Sequence, residues 1–207
     1  MVLTLPLLPG GNKWHSCEMG LDLSPGFIVA SPTLLDPNFR RTVVLLVDHG
    51  VEGSLGFVVN RPAAITLSNM VDRLGFTENG SAPPDAPVLI GGPVAPDTGW
   101  IIFDQRGFEQ AADSSVIVSE SVSVSASRAM LESVLRGKGP KRMILALGYS
   151  GWGPGQLDDE IARGAWIPAD LDSRIVFDTP YDQRWSDTLK TVGIDPARLT
   201  VMTPSEA

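Results

Sequence analysis

The chain of 207 residues is 43% hydrophobic and 19% charged, which is enough material for one well-packed domain and few additions. Its formal net charge of −8 repels nucleic-acid phosphates on average and therefore argues against direct DNA binding. The single cysteine, Cys17, excludes an intramolecular disulfide and a structural zinc site built from several cysteines, and it is consistent with a reducing cytoplasm.

The N-terminal residues are expected to form an arm rather than a membrane anchor. Residues 1–8 are apolar, but the stretch is short, is broken by Pro6 and has no basic residue before it. It therefore resembles neither a signal peptide nor a helix that spans a bilayer. We predict an arm over residues 1–20, a single domain over residues 21–207, a cytoplasmic location and no contact with a membrane.

A β-hairpin is predicted in the first part of the domain. Residues 27–30 form a short apolar strand, and residues 41–47 are typical of a central strand because they are rich in β-branched residues and apolar on both faces. A turn over residues 50–53 and a second strand over residues 55–60 follow closely, which indicates antiparallel pairing. Arg61-Pro62 ends that strand.

Beyond the hairpin the pattern alternates between strands and helices. The apolar spacing after Thr66 predicts a helix that ends at Gly75. Further strands are predicted over residues 88–90, 100–103, 115–118, 142–147 and 174–177, and further helices over residues 125–136, 161–166 and 179–193. The order predicts a mixed α and β domain without internal repeats.

The segment after the strand at 142–147 holds the densest group of candidate functional residues. Its four glycines within residues 148–155 permit positive φ angles or the close approach of another group, which a simple spacer does not require. Ser150 lies where a hydrolase nucleophile would, but the Gly-x-Ser-x-Gly pattern is incomplete and no histidine follows it. Trp152 is expected to be partly exposed because glycines flank it. The ligand-binding candidates of this segment are Tyr149, Ser150, Trp152 and Gln156.

His49 is the best general acid or base available to the chain, because it ends a strand, where side chains can line a pocket. A hydrogen-bonded turn histidine is the alternative interpretation. Its catalytic partner would be Asp158 or Glu160, although acidic residues there also suit the positive pole of a helix N-terminus. With only two histidines in the chain, a transition-metal centre is not expected, and we predict no metal and no cofactor.

Two further strand ends carry ligand-binding candidates. Arg61 is held away from helical geometry by Pro62, and its guanidinium suits a carboxylate partner. That partner could be an anionic ligand, with Asn60 beside it, or one of the acidic residues 158–160, and the internal ion pair is the preferred interpretation. Gly91-Gly92 form a turn that could present backbone amides to a ligand.

Six short blocks stand out along the chain: PGFIVASP (25–32), DPNFRRTV (36–43), His49, GFVVNRP (56–62), GGPV (91–94) and LGYSGWGPGQL (147–157). Taken together, they resemble the signature blocks of the YqgE/AlgH family of bacterial proteins, in the order found in that family. Two departures are Asp158, where the family often has glutamate, and Phe103, where histidine is common. The missing histidine weakens any mechanism that needs two.

The resemblance implies an α+β fold, with a single compact domain whose bifurcated, partly barrel-like, mostly antiparallel sheet is surrounded by helices. Most members of that family have no assigned function, and some are labelled transcriptional regulators. We therefore expect a cytoplasmic binding or regulatory protein that acts through a small-molecule or protein partner. Its site is expected where the His49 turn, Asn60-Arg61, Gly91-Gly92 and the 148–160 segment meet.

Two other functions stay open at this point. One is a small hydrolase or transferase that uses His49 with Asp158 or Glu160. The other is a transcriptional regulator that binds DNA directly, which the acidic charge and the lack of a recognisable DNA-reading motif both disfavour.

Overall fold

The computed structural model describes residues 23–67, 88–108 and 115–196. Three features lie outside these ranges: the predicted N-terminal arm, Cys17 and most of the predicted helix after Thr66. The arm, that helix and the domain boundaries therefore stay predictions.

Within these ranges the chain forms nine strands and four helices. The strands are β1 (Gly26–Ala30), β2 (Val43–Gly50), β3 (Gly53–Val58), β4 (Val88–Ile90), β5 (Val94–Phe103), β6 (Ser115–Ile117), β7 (Ser123–Ser125), β8 (Met143–Trp152) and β9 (Trp166–Asp170). The helices are α1 (Arg128–Leu135), α2 (Gln156–Ala162), α3 (Ser173–Phe177) and α4 (Tyr181–Thr191).

The strands form one curled sheet that divides along β8. Its main path is β6-β7-β5-β8-β3-β2-β1-β9, with antiparallel neighbours, and β4 pairs with β8 in parallel off that path. One edge of β8 pairs with β5, whereas the other pairs with β4 at residues 145–147 and with β3 at residues 150–152. The predicted α+β fold with a bifurcated, partly barrel-like sheet is confirmed.

The division of the sheet requires glycine at two positions. Gly148 has a φ of +68°, a left-handed conformation that other residues rarely adopt. A Cβ atom on Gly92 would lie 2.2 Å from the carbonyl carbon of Tyr149. This close approach lets the Gly91 carbonyl accept a 2.7 Å hydrogen bond from the Val58 N–H, which joins the end of β4 to β3.

Both faces of the central strands are buried, as the apolar pattern of residues 41–47 predicted. Val43 and Leu45 of β2 belong to a core cluster that α3 and α4 cover, whereas Val44 and Leu46 belong to a cluster that α2 covers. A third cluster lies where α1 packs against β5 and β8. Burial of apolar surface on both faces is the main stabilising contribution in such a sheet.

The hairpin and the two longer helices agree with the sequence predictions. Strands β2 and β3 pair antiparallel, with Leu45 opposite Phe57. Helices α1 and α4 lie within the predicted ranges 125–136 and 179–193. None of the helices in the described ranges combines the length and the apolar character needed to cross a bilayer.

The predicted strand at residues 174–177 is wrong, because this segment forms helix α3. The Asp172 side chain accepts a 2.9 Å hydrogen bond from the Arg174 N–H and so caps the helix start. Ile175 and Val176 are buried in the core cluster beneath it. Capping and burial together override the preference of these β-branched side chains for a strand.

The predicted helix at residues 161–166 is misplaced. Helix α2 begins at Gln156, directly after Gly155, whose φ of +69° makes the turn out of β8. Trp166 instead begins β9, at the edge of the sheet. Pro168 is tolerated there because an edge strand does not need every N–H for pairing.

One buried carboxylate ties the end of β5 to the start of β8. Asp104, whose side chain is 8% exposed, accepts hydrogen bonds from Arg106 Nη2 at 2.6 Å and Arg142 Nη1 at 2.7 Å. Hydrogen bonding from Arg106, with the charge of Arg142 in addition, lowers the pKa of Asp104 to about 2. Arg142 also pairs with Asp178, which connects this network to the end of α3.

The depressed pKa of Asp104 predicts a specific loss of stability in acid. Because the folded-state pKa lies below the unfolded value, the ionised group stabilises the fold at neutral pH by about 2 kcal/mol, and this contribution disappears between about pH 4 and pH 2. Urea unfolding should therefore find Asp104→Asn less stable than the wild type by about this amount at pH 7. A difference in the free energy of unfolding between wild type and Asp104→Asn that stays constant down to pH 2 would contradict the prediction.

Candidate functional site

Candidate side chains lie at both ends of the β2–β3 hairpin. His49 and Ser54 flank its tight turn, whereas Asn60 and Arg61 follow β3 at the opposite end. Ser54 and Asn60 are six positions apart along extended chain, or about 20 Å. The hairpin therefore carries two separate groups of polar residues.

The group at the turn consists of His49, Ser54 and Asp158, and we call it the turn-end cluster. His49 Nδ1 lies 2.8 Å from Ser54 Oγ, and His49 Nε2 lies 3.4 Å from Asp158 Oδ1. The His49 side chain is 6% exposed and that of Asp158 is 44% exposed. The structure thus brings together His49 and Asp158, the pair that the sequence analysis proposed for an enzyme.

A β-bulge places His49 in this cluster. Leu46 pairs with Gly56, but the register shifts before Asp48, so that His49 rather than Asp48 lies opposite Ser54. The extra residue therefore turns His49 toward the face that α2 covers. Asp48 is half-buried next to it, and burial raises the pKa of its carboxyl group.

The sequence analysis did not identify Ser54, although a usable signal was present. The tight turn at residues 50–53 fixes which residues of the two strands are opposite one another, and His49 and Ser54 are such a pair. Side chains at directly paired positions lie on the same face of a sheet. Counting outward from the turn would have placed a hydroxyl beside the imidazole.

Glu160 holds the aromatic side chains beneath α2. Its Oε2 atom accepts hydrogen bonds from Trp166 Nε1 at 2.7 Å and Trp152 Nε1 at 3.1 Å, and its Oε1 atom accepts one from Gln156 Nε2 at 2.8 Å. The two indole rings pack edge to face, and Phe39 contacts both. These bonds occupy Glu160 and Gln156 in holding the fold.

The expectation that Trp152 is partly exposed is wrong. Its relative exposure is 6%, because the flanking glycines let α2 and Phe39 cover the ring. The glycines on either side of Trp152 have no side chains, but this does not determine which face of β8 the indole occupies.

The candidates at Gly91-Gly92 and Ser150 are buried at the division of the sheet. Ser150 is fully buried and donates a 3.3 Å hydrogen bond to the Gly91 carbonyl, and the Gly91 N–H donates to the Leu147 carbonyl. The Gly91 amide is therefore not available to a ligand. Tyr149 is half-buried, and its ring packs edge to face against Trp100.

The predicted ion pair between Arg61 and residues 158–160 is wrong. Arg61 Nη1 donates a 2.7 Å hydrogen bond to the Asn38 carbonyl, at the end of β3 remote from α2. Asn60 accepts from the Val43 N–H at 2.9 Å and donates to the Arg41 carbonyl at 2.8 Å. Asn60 and Arg61 together fasten the turn that precedes β2.

The end of the β2–β3 hairpin opposite its turn is its open end. Four arginines lie on the segments there, and we call them the open-end arginines: Arg40, Arg41, Arg61 and Arg184. Arg184 is 2% exposed, donates hydrogen bonds to the Thr179 and Val59 carbonyls, and stacks 4.3 Å from the centre of the Tyr181 ring. Burial lowers the pKa of Arg184 to about 10, which leaves its guanidinium charged at neutral pH. Arg41 lies over the Trp185 ring at 5.5 Å.

The open-end arginines differ from the other arginines of the described ranges in their charge pairing. Arg106, Arg128, Arg136, Arg142, Arg163 and Arg174 each form an ion pair with a carboxylate. Among the ion pairs of the described residues, none involves an open-end arginine. The arginines of the described ranges that form no ion pair therefore all lie at one end of the hairpin, whereas Lys138 and Lys141, which also form none, lie between α1 and β8.

The expected meeting of four segments is found only in part. The His49 turn meets the 148–160 segment, and Gly91-Gly92 pack against Tyr149 and Ser150, whereas Asn60-Arg61 lie apart from both. In the part of the chain that the structure describes, no group of three or more histidine, cysteine, aspartate or glutamate side chains is arranged to hold a metal ion.

Comparison with known proteins relates the chain to one family. The sequence model of the AlgH-like family matches residues 27–197. A UPF0301 protein from Anaeromyxobacter sp. (strain Fw109-5) is 43% identical over 186 residues, covering 86% of this chain and 92% of the relative. A UPF0301 protein from Nitrosococcus oceani is 37% identical over 174 residues, covering 84% and 91%.

Two solved structures share the fold. The solution structure of the AlgH protein from Pseudomonas aeruginosa superposes with a TM-score of 0.73 at 30% identity, covering 93% of this chain and all of that one. A crystal structure of a Corynebacterium diphtheriae protein gives a TM-score of 0.68 at 20% identity, covering 90% and 95%.

The bonding of Glu160 predicts that its removal destabilises the fold. Glu160→Ala leaves two buried indole N–H groups without an acceptor, which should lower the free energy of unfolding by about 2 to 4 kcal/mol. Glu132→Ala is the matched control, because Glu132 forms only surface ion pairs with Arg128 and Arg136 and should cost less than about 1 kcal/mol. Equal losses in urea unfolding would show that the indole bonds contribute nothing.

Proposed function

The chain belongs to the AlgH-like family, and on that premise we propose that it is a cytoplasmic binding and regulatory protein whose ligand is a small anion. The ligand carries a carboxylate or phosphate group and binds at the open-end arginines. The regulatory role follows the transcriptional-regulator label that some members of the YqgE/AlgH family carry, and the single cysteine suits the cytoplasm.

One observation carries the proposal: four arginines without carboxylate partners lie on adjoining segments of a chain whose net charge is −8. Carboxylates outnumber cations in this chain, so random placement would pair these arginines as readily as the others. A guanidinium presents a planar fork of donors that matches a carboxylate or a phosphate. An external anion would supply the missing charge.

Arg184 supports the same ligand chemistry from inside the fold. Its guanidinium is almost completely buried and charged, and its described hydrogen bonds go to backbone carbonyls and not to a carboxylate. Burial of a charge is costly, and an anion bound nearby would reduce that cost through Coulomb attraction, in addition to the attraction from Asp178. The buried charge therefore adds to the field of the exposed arginines.

The backbone of Arg41 provides a second line of support. Its φ of +55° is uncommon for a residue other than glycine, asparagine or aspartate, and Asn60 holds it there by binding the Arg41 carbonyl. Unfavourable backbone conformations persist where the surrounding structure enforces them, and they are frequent at ligand sites. The arginine is thereby pre-organised before a ligand arrives.

Anion binding predicts a thermal shift that depends on the open-end arginines. Inorganic phosphate, pyrophosphate or citrate at about 100 times its dissociation constant stabilises the fold by about 2.7 kcal/mol. For a domain of this size the melting temperature should rise by roughly 5 to 10 °C. Arg41→Ala and Arg61→Ala should abolish this rise, whereas Arg163→Ala, which removes only a surface ion pair with Asp159, should retain it.

Sodium chloride at matched ionic strength controls for general salt effects. The proposal fails if none of the three anions shifts the melting temperature, or if the shift survives in both open-end variants. Salt-sensitive binding of duplex DNA without binding of any small anion would instead favour a nucleic-acid partner.

A further inference from the structure

We propose that the turn-end cluster is an acyl-transfer site in which Ser54 is the nucleophile, His49 the general base and Asp158 the group that orients and stabilises the imidazole. This activity is separate from the proposed anion binding, because it uses the opposite end of the hairpin. The substrate class is an ester or thioester whose acyl group is small and not anionic.

The contacts of His49 determine which ring nitrogen can act as the base. An ionised Asp158 is only an acceptor, so the nitrogen facing it, Nε2, carries the hydrogen of the neutral ring. The other nitrogen, Nδ1, then presents its lone pair to Ser54 Oγ at 2.8 Å. The hydroxyl hydrogen therefore points at a base, as nucleophilic serine chemistry requires.

This arrangement fills the roles of a Ser-His-Asp triad with the two ring nitrogens exchanged. The roles and the geometry, rather than the order of residues in the chain, define such a triad. The 3.4 Å separation of Asp158 Oδ1 from His49 Nε2 is longer than a strong hydrogen bond. Such contacts are often long without substrate and shorten in the reacting complex.

Ser54 and His49 are both partly buried, and a glycine precedes the serine. The His49 side chain is 6% exposed, and Ser54 is half-buried and follows Gly53, which has no side chain. Gly53 is fixed as glycine by its φ of +127° and because a Cβ there would lie 2.4 Å from the Trp152 carbonyl oxygen. A shielded imidazole in contact with the serine hydroxyl is the arrangement expected of a base and its nucleophile.

Ser54 also fits this role better than Ser150, the serine that the sequence pattern first suggests. Ser150 is fully buried and bonded to the Gly91 carbonyl, so no substrate can reach it. Ser54 lies opposite Trp152 in the sheet, and Trp152 and Leu157 belong to the buried core cluster that α2 covers. The Asp158 carboxylate, 3.4 Å from His49, disfavours an anionic acyl group.

The proposed reaction proceeds in two balanced steps. Ser54 Oγ attacks the acyl carbonyl carbon while its proton passes to His49 Nδ1, and the leaving alcohol or thiol takes that proton as its bond to the acyl carbon breaks. Water then attacks the acyl-serine, gives its proton to His49, and releases the carboxylic acid as Ser54 Oγ recovers the proton. The charge of Asp158 stabilises the imidazolium formed in both steps.

A fluorophosphonate probe and p-nitrophenyl acetate test the assignment on the full chain. The wild type should form one covalent adduct, which peptide mass spectrometry locates at Ser54, and should hydrolyse the ester above the buffer rate. Ser54→Ala should abolish both activities. His49→Gln should slow both by about 100-fold or more, and Asp158→Asn should also slow them.

Controls separate the chemistry from folding. Ser186→Ala, a serine of α4 bonded only to the Gln183 carbonyl, should react like the wild type, and each variant should keep a cooperative melting transition. The proposal is overturned if no adduct forms at Ser54, or if folded His49→Gln reacts as fast as the wild type.

Discussion

The close approach of Gly92 to the backbone of Tyr149 is the constraint on which the rest of the structure depends. A Cβ atom at Gly92 would overlap the Tyr149 carbonyl carbon, so these two segments of the chain can pass this closely only if residue 92 is glycine. This crossing lets β4 and β3 share one edge of β8 and produces the divided sheet. It also directs the end of β8 toward α2, so the position of Asp158 beside His49 follows from it.

The β2–β3 hairpin then separates two kinds of chemistry. Its turn meets the acidic helix α2, and its open end meets α4 and the turn at residues 38–41, where the unpaired arginines lie. The acidic residues of α2 and the unpaired arginines thus lie at opposite ends of the same two strands. A domain with an acidic total charge can in this way retain a local site for an anion, since screening weakens the repulsion from charges more than about 10 Å away.

Local sequence patterns were sufficient to predict the hairpin, the central strand with two buried faces, and helices α1 and α4. Each of these elements has a strong apolar pattern. They failed at α3, where an Asp172 cap and burial outweighed β-branched residues, and at β9, an edge strand that contains proline. The motifs located the candidate residues, but strand register decides which of them meet. Arg61 was assigned the wrong partner for that reason, and Ser54 was missed although the turn fixed its pairing with His49.

The open end of the hairpin, rather than the glycine-rich segment at residues 148–155, holds the ligand of the proposed function. The most direct measurement is a titration of the ¹⁵N-labelled chain with inorganic pyrophosphate, followed by ¹H–¹⁵N correlation spectra at low ionic strength. We expect saturable shifts that are largest for the amides of residues 38–43 and 59–61, with little change at residues 148–160. Shifts confined to residues 148–160, or no saturable shift at any amide, would contradict it.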